Sequence, residues 1–157
     1  MEFLLTLLVR AINNPWSISL IVMATGFLLY GLSGAKHRSL GKVIMLTTVA
    51  VAMLSGTLLS LLGHFLTVPI IHAIGVPSKG HVLSFYKTGD IYNERDVIAF
   101  KVVYPFANGQ LIESHFKSND FNLFPIRNTA HYPQVGTSFK LKYLARSPQQ
   151  FIILTDS

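Results

Sequence analysis

Two long apolar runs, residues 16–35 and 43–66, contain no Asp, Glu, Lys or Arg. At 1.5 Å per helical residue, each run is long enough to cross a bilayer core of about 30 Å. We therefore predict two transmembrane helices, at about residues 16–34 and 43–66. The N-terminal residues are too few to cross, so we expect an interfacial helix at about residues 2–13.

The short stretch from Lys36 to Lys42 joins the two apolar runs and also contains Arg38. So short a connection predicts an antiparallel helical hairpin. The positive-inside rule places these three cations in the cytoplasm, opposed only by Arg10. Everything after Leu66 is then expected outside the cytoplasm, in a multi-pass protein of the cytoplasmic (inner) membrane.

Small side chains recur at every fourth position along the second predicted transmembrane helix, which places them on one helix face. They are Thr48, Ala52, Gly56 and Ser60, and His64 continues the row. Small residues on one face permit close approach of another helix. One interpretation is packing against the first helix, where Gly26, Tyr30 and Gly34 form a matching row. The other is a docking face for a partner membrane protein.

His64 admits two interpretations because an ionisable group in a membrane helix is often functional. It lies at the end of the predicted span, where a neutral imidazole at the interface is easily accommodated. A role in proton transfer or ligand binding remains the alternative.

The composition changes near Pro77, after which charged residues are interspersed with short runs that have the character of strands. We predict a β domain over residues 78–157. Alternation and turn residues indicate five strands; they lie at about 80–86, 96–106, 110–116, 137–144 and 151–154. Lys87–Asp90 and Asn108-Gly109 are expected to be turns. The predicted fold is a membrane α hairpin followed by a small antiparallel β barrel or sandwich.

The polar stretch 117–136 contains Pro125 and Pro133 and is predicted to be a long connection, with a helical turn around residues 121–124. It also contains Phe121 and Phe124. More aromatic residues are present than so small a core requires, so we expect these two to form an exposed apolar patch for a partner or for the membrane surface.

No pattern for catalysis or cofactor binding stands out. The chain has no cysteine and no Gly-x-Ser-x-Gly elbow. The histidines of the β domain lack metal-ligand spacing; they are His81, His115 and His131. The acidic cluster Asp90, Glu94 and Asp96 is expected to be a solvated loop, with a weak cation-binding loop as the alternative. We predict no cofactor, no metal site and no nucleic-acid partner, since the cations are not clustered with aromatic residues.

Three segments of the β domain resemble a known family. They are Val103-Tyr104-Pro105-Phe106-Ala107-Asn108-Gly109-Gln110, Tyr132-Pro133-Gln134-Val135-Gly136-Thr137 and Leu141-Lys142-Tyr143-Leu144-Ala145-Arg146-Ser147-Pro148. Together they resemble the membrane-anchored β domain called domain-of-unknown-function family 3592, over about residues 80–155. The resemblance implies anchoring by membrane helices, and it implies no activity.

These features lead us to expect a non-enzymatic membrane protein. Its β module would bind, stabilise or regulate another membrane or periplasmic protein as an accessory subunit. Two alternatives stay open: an immunity protein against a membrane-acting or periplasmic toxin, and a small membrane-bound hydrolase.

Overall fold

The computed structural model describes residues 1–33, 37–107, 109–126 and 132–155. The chain divides into two compact units. One is helical and extends from Leu7 to Gly63. The other contains the sheet; it begins at His64 and also includes Met1–Thr6. Lys36, Gly34, Asn108 and His131 lie outside the described residues, so the predictions made for them stay predictions.

Three helices occupy the first part of the chain: α1 Glu2–Asn13, α2 Pro15–Leu32 and α3 Arg38–Leu62. Pro15 opens α2 because a proline at the first helical position loses no intrahelical hydrogen bond. Asn14 holds the N-cap position, although its side chain makes no capping hydrogen bond.

α3 starts and ends earlier than the apolar run suggested. Its first turns include Arg38 and Lys42, which were expected in a loop. Arginine and lysine both have high helix propensity. The helix can therefore begin several residues before the apolar run does. The helix ends at Leu62 and a new one starts at His64, so the expected continuation to residue 66 is wrong as a description of one helix.

α2 and α3 are both long enough and apolar enough to cross a membrane. Their outward side chains are mostly hydrocarbon; Leu20 is 64% exposed and Leu46 is 63% exposed. A helix in the core of a water-soluble protein buries such residues. The exposed apolar surface therefore supports association with a membrane.

The C-terminal unit contains one helix and six strands. The helix is α4 His64–Ile74. The strands are β1 Val76–Tyr92, β2 Arg95–Pro105, β3 Leu111–Lys117, β4 Leu123–Phe124, β5 Ser138–Leu144 and β6 Ser147–Leu154. They form one sheet in the order β3-β2-β1-β5-β6-β4.

β1 organises the sheet because its 17 residues serve two different partners. Its first part pairs with β5, from Val76 opposite Tyr143 to His81 opposite Ser138. From His81 onward it pairs with β2, ending at Tyr92 opposite Arg95. A bulge between residues 82 and 84 lies where one partner replaces the other.

The core fills the concave side of this curled sheet with aromatic rings. The Tyr104 ring of β2 lies 5.7 Å from Tyr143 of β5 and 5.4 Å from Phe151 of β6. Phe116 of β3 also meets Phe151 edge-on, at 6.1 Å. Such pairs contribute about 0.5–1.5 kcal/mol each beyond the burial of their area. Strands that are not neighbours in the sheet are thus held together by their side chains.

The predicted antiparallel barrel or sandwich is wrong, because the structure contains a single open sheet. Within the described residues, the edge strands β3 and β4 are not hydrogen-bonded to each other, and β4 pairs with β6 in parallel. β4 comprises only Leu123 and Phe124, too few residues to complete a barrel seam. It occupies the place where a helical turn was expected.

The first hairpin turn also differs from the expectation. β1 continues through Lys87–Asp90 as an irregular strand, with Gly89 at φ +83°. The chain turns instead at Asn93 and Glu94, at φ +49° and +62°. Positive φ at both central residues is the geometry of a two-residue hairpin loop that follows the sheet twist, and glycine is its usual second residue.

Glu94→Gly is therefore expected to stabilise the sheet. A left-handed conformation costs a non-glycine residue about 1–2 kcal/mol, partly offset by the larger unfolded-state entropy of glycine. We expect a gain of about 0.5–1 kcal/mol, seen as a rise of a few degrees in the thermal midpoint of the β signal in circular dichroism. Gly89→Ala should shift that midpoint down. An unchanged or lower midpoint for Glu94→Gly would contradict the strain argument.

Candidate functional site

The small residues of α3 pack closely against α2. A Cβ added to Gly26 of α2 would overlap with Oγ1 of Thr48. A Cβ added to Gly56 would lie 2.7 Å from Oγ of Ser19, and that hydroxyl donates a hydrogen bond of 2.9 Å to the carbonyl of Ala52. The absence of side-chain bulk on both helices therefore sets their separation.

The predicted row of small residues is thus divided in the structure. Ala52 and Gly56 are buried, and Thr48 is half-buried, all within the helical unit. Ser60 is exposed near the end of α3. His64 is not on α3, because it is the first residue of α4 in the other unit.

The two histidines of α4 stack on the phenylalanines of the long connection. The His64 ring lies 4.9 Å from that of Phe121, and His72 lies 3.7 Å from Phe124. Both phenylalanines are half-buried, so they do not form the exposed apolar patch that was expected. One feature of the sequence could have predicted these contacts. An imidazole in an apolar helix requires an aromatic ring or a polar group as its neighbour.

α4 is fixed to the sheet at its end as well as along its side. Thr67, Val68 and Ile71 are buried. Nζ of Lys142 on β5 donates a hydrogen bond of 2.6 Å to the carbonyl of His72. This lysine therefore satisfies a carbonyl at the C-terminal end of the helix and places a cation where the helix dipole favours it.

The far part of β1 and the hairpin that follows it form a surface that we call the β1 arm, residues 83–92. Large apolar side chains are exposed along it; they are Leu83, Phe85, Tyr86, Ile91 and Tyr92. β2 pairs with one edge of the arm. In the part of the chain that the structure describes, no strand pairs with the other edge.

Charged groups near the arm form cross-strand ion pairs. Lys117 Nζ lies 2.9 Å from Oδ2 of Asp90, which lowers the pKa of that carboxyl, and Lys87 contacts Asp96, which raises the pKa of the lysine. Both pairs are exposed, so each contributes little to stability. Asp90 and Asp96 of the predicted acidic cluster therefore form ion pairs at the β1 arm. Glu94, the third member, lies in the turn.

Of the three histidines predicted to lack metal-ligand spacing, the structure describes His81 and His115. They lie on different strands. His81 Nδ1 lies 3.1 Å from Oγ of Ser138, and His115 is exposed on β3. Across the described ranges, no group of three or more His, Cys, Asp or Glu residues is close enough to hold a metal ion.

Two tyrosines bury their hydroxyls in hydrogen bonds to the backbone. The Tyr104 hydroxyl donates to the carbonyl of Pro148, and Tyr132 donates to Ser118 at 2.8 Å. Burial raises the pKa of each phenol to about 12. Both therefore stay protonated near neutral pH and act as fixed hydrogen-bond donors.

Comparisons of the chain with protein-family models, curated proteins and solved structures find no match. The resemblance of residues 80–155 to domain-of-unknown-function family 3592 therefore stays a prediction.

Gly26→Ala is expected to loosen the helical hairpin because its methyl group would collide with Thr48, whose hydroxyl is already held by carbonyls of its own helix. Overpacking of this kind costs about 1–3 kcal/mol. Loss of helical circular dichroism should require less sodium dodecyl sulfate than in the unmodified protein.

Gly31→Ala is the matched control, since a Cβ at that position meets nothing within 4 Å. Adding Thr48→Gly to Gly26→Ala should restore part of the lost resistance to detergent. Equal effects of the two alanine substitutions would show that helix propensity, and not close packing, sets the result.

Proposed function

We propose that this chain is a non-enzymatic, membrane-anchored binding protein whose β domain holds or regulates another protein of the membrane or cell envelope. The observation that carries the proposal is the β1 arm. It combines an exposed apolar surface with an open strand edge, and both features favour protein contact.

The side chains of the arm have the composition of a protein interface. Ile91 is 74% exposed, Phe85 59% and Tyr86 58%. Aromatic residues are enriched at protein interfaces, and a group of exposed apolar side chains on one element indicates an interaction site. The ion pairs beside the arm supply a polar rim around this apolar surface.

The open edge offers main-chain hydrogen bonds as well. Beyond the bulge at residue 83, β1 has β2 on only one side among the described residues. An extended segment of a partner can add to such an edge as a further strand, with its backbone supplying affinity and its side chains supplying specificity. We therefore propose a partner that contributes an extended apolar segment.

The proposed function also includes a topology. Arg38 and Lys42 lie at the start of α3, and Lys36 is nearby in the sequence. By the positive-inside rule this end of the hairpin is cytoplasmic, and the β domain is outside the cytoplasm at the inner membrane.

Cysteine labelling tests this topology directly, because the chain has no cysteine of its own. Gln149→Cys on β6 and Ser39→Cys on α3 both provide exposed thiols. In intact cells with a permeabilised outer envelope, a membrane-impermeant maleimide should label residue 149 and spare residue 39. Lysis should then make both reactive. The reverse pattern in intact cells would place the β domain in the cytoplasm and exclude an envelope partner.

Photo-crosslinking tests the β1 arm. Benzoylphenylalanine placed at Phe85 or Ile91 of the full-length protein in cells should give a protein adduct of the same mass from both positions. Leu111, which is 66% exposed on β3, is the matched control and should not give that adduct.

Phe85→Ser should reduce the adduct formed at residue 91 several-fold, because residues 85 and 91 lie on the same face of the sheet, opposite Phe100 and Asp96 of β2, and the substitution removes apolar contact area from that face. Adducts of equal yield from residues 85, 91 and 111, or lipid adducts alone, would contradict the proposed partner site.

A further inference from the structure

We propose that the partner binds through a short extended segment in which an acidic residue precedes an aromatic residue by two positions. The segment adds as an antiparallel strand to the open edge of β1 at residues 83–88, which we call the edge slot. This inference rests on the proposed function of the β1 arm, and it specifies the chemistry that the arm selects.

Two residues of the edge slot direct their main-chain groups away from β2. The N–H of Ile98 donates to Oγ of Ser118 at 3.1 Å, and its carbonyl accepts from the N–H of Ser118 at 2.8 Å, so both groups point toward the β3 side. Opposite residues of an antiparallel pair exchange both hydrogen bonds or neither. Lys87 lies opposite Ile98, so its N–H and C=O point to the open edge, and those of Phe85, two residues earlier, do the same.

The edge slot is short because β1 is already paired at one of its ends and irregular at the other. The N–H of Val82 donates to the carbonyl of Thr137 at 3.2 Å, and its carbonyl accepts from Gly136 at 2.9 Å. Gly89 has φ +83°, and the register with β2 shifts after Lys87. Such an irregularity interrupts regular strand pairing. The slot between these two points therefore suits a short segment and not a long strand.

A row of phenylalanine rings ends at the edge slot. Phe116, Phe100 and Phe85 lie directly opposite one another on β3, β2 and β1. The ring of Phe100 is 4.9 Å from that of Phe116 and 6.4 Å from that of Phe85. Exposure rises along the row from 0% to 9% to 59%, and no described strand covers the open side of Phe85. An aromatic residue opposite Phe85 on an added strand would extend the row and cover this ring.

Lys87 selects the charge of the added strand. It lies on the same face as Phe85, and its side chain is 72% exposed. An ammonium group carries several donors, so the exposed ion pair with Asp96 does not saturate it. An acidic residue opposite Lys87 would form a cross-strand pair of opposite charges. Since the added strand runs antiparallel, the residue opposite Lys87 comes two positions before the residue opposite Phe85.

Peptide binding to the full-length protein in nanodiscs tests the proposal. The probe is a capped, fluorescein-labelled hexapeptide of threonine with glutamate at its second position and phenylalanine at its fourth, and fluorescence anisotropy measures its binding. We expect saturable binding in the micromolar range. Serine in place of the phenylalanine should weaken binding by about tenfold, because it removes one buried aromatic contact. Exchanging the glutamate and the phenylalanine gives a control of identical composition, which should bind several-fold more weakly.

N-methylation separates strand addition from simple apolar contact. Successive main-chain groups of a strand point to opposite edges, so methylating alternate amides gives two isomers of the same composition. The isomer that is methylated on its second and fourth residues loses the hydrogen bonds to Lys87 and Phe85 and should not bind. The isomer that is methylated on its third and fifth residues keeps them and should bind like the parent peptide.

A charge exchange tests the role of Lys87. Lys87→Glu should weaken binding of the parent peptide several-fold, and a peptide with lysine in place of the glutamate should restore binding to this variant. Lys79→Glu makes the same change on the part of β1 that pairs with β5, and it should leave binding of the parent peptide unchanged.

The proposal is overturned if the hexapeptide does not bind, if the two methylated isomers bind equally, or if the order of its two key residues makes no difference. If these results are accompanied by a protein adduct at residues 85 and 91 in cells, the β1 arm remains a partner site that binds in another way. An adduct of twice the chain mass at residue 85 would identify a second copy as the occupant and would also overturn the proposal. Peptide binding as expected without any adduct in cells would support the edge slot and contradict the proposed partner function.

Discussion

The backbone hydrogen bonding of β1 is the constraint on which the rest of the C-terminal unit depends. One strand of 17 residues pairs first with β5 and then with β2, with a bulge where the partners change. This exchange curls the sheet, so that rings from β2 and β3 meet rings from β5 and β6. It also leaves the second half of β1 with one open edge among the described residues. The core and the β1 arm are therefore two consequences of the same pairing pattern.

α4 gives the sheet a second layer on its outer side. The inner side is filled by the aromatic core, whereas Ile152 on β6 faces away from that core and is nevertheless buried. α4, Lys142 and the His72–Phe124 stack together cover this part of the sheet. A sheet with both faces covered buries more apolar surface than a single-layer sheet of the same length, which matters for so small a domain.

Residue patterns predicted the parts of the structure that depend on local composition. The apolar runs predicted α2 and α3 because a helix that is apolar on every side over such a length is typical of a membrane span. Alternation predicted β2, β3 and β5 because each has one face on the core. The start of α3 was predicted too late, because hydropathy indicates which residues can lie in the bilayer and not where the helix begins. The helix begins earlier and includes Arg38 and Lys42.

The failures arise where tertiary contacts outweigh local signals. Lys-Thr-Gly-Asp is typical of a turn, yet pairing with β2 on both sides of Gly89 keeps it within β1. Phe121 and Phe124 appeared to be surplus in a polar connection because their partners are histidines some fifty residues earlier. The barrel was an inference from strand number alone, and closure depends on the length of the edge strands, which alternation does not encode.

The end of the β1 arm also approaches α4. The Tyr92 ring lies 5.9 Å from the ring of Phe121, and the Phe121 ring lies 4.9 Å from that of His64, the first residue of α4. A partner that binds at this end of the arm would therefore lie beside α4 as well as beside β1.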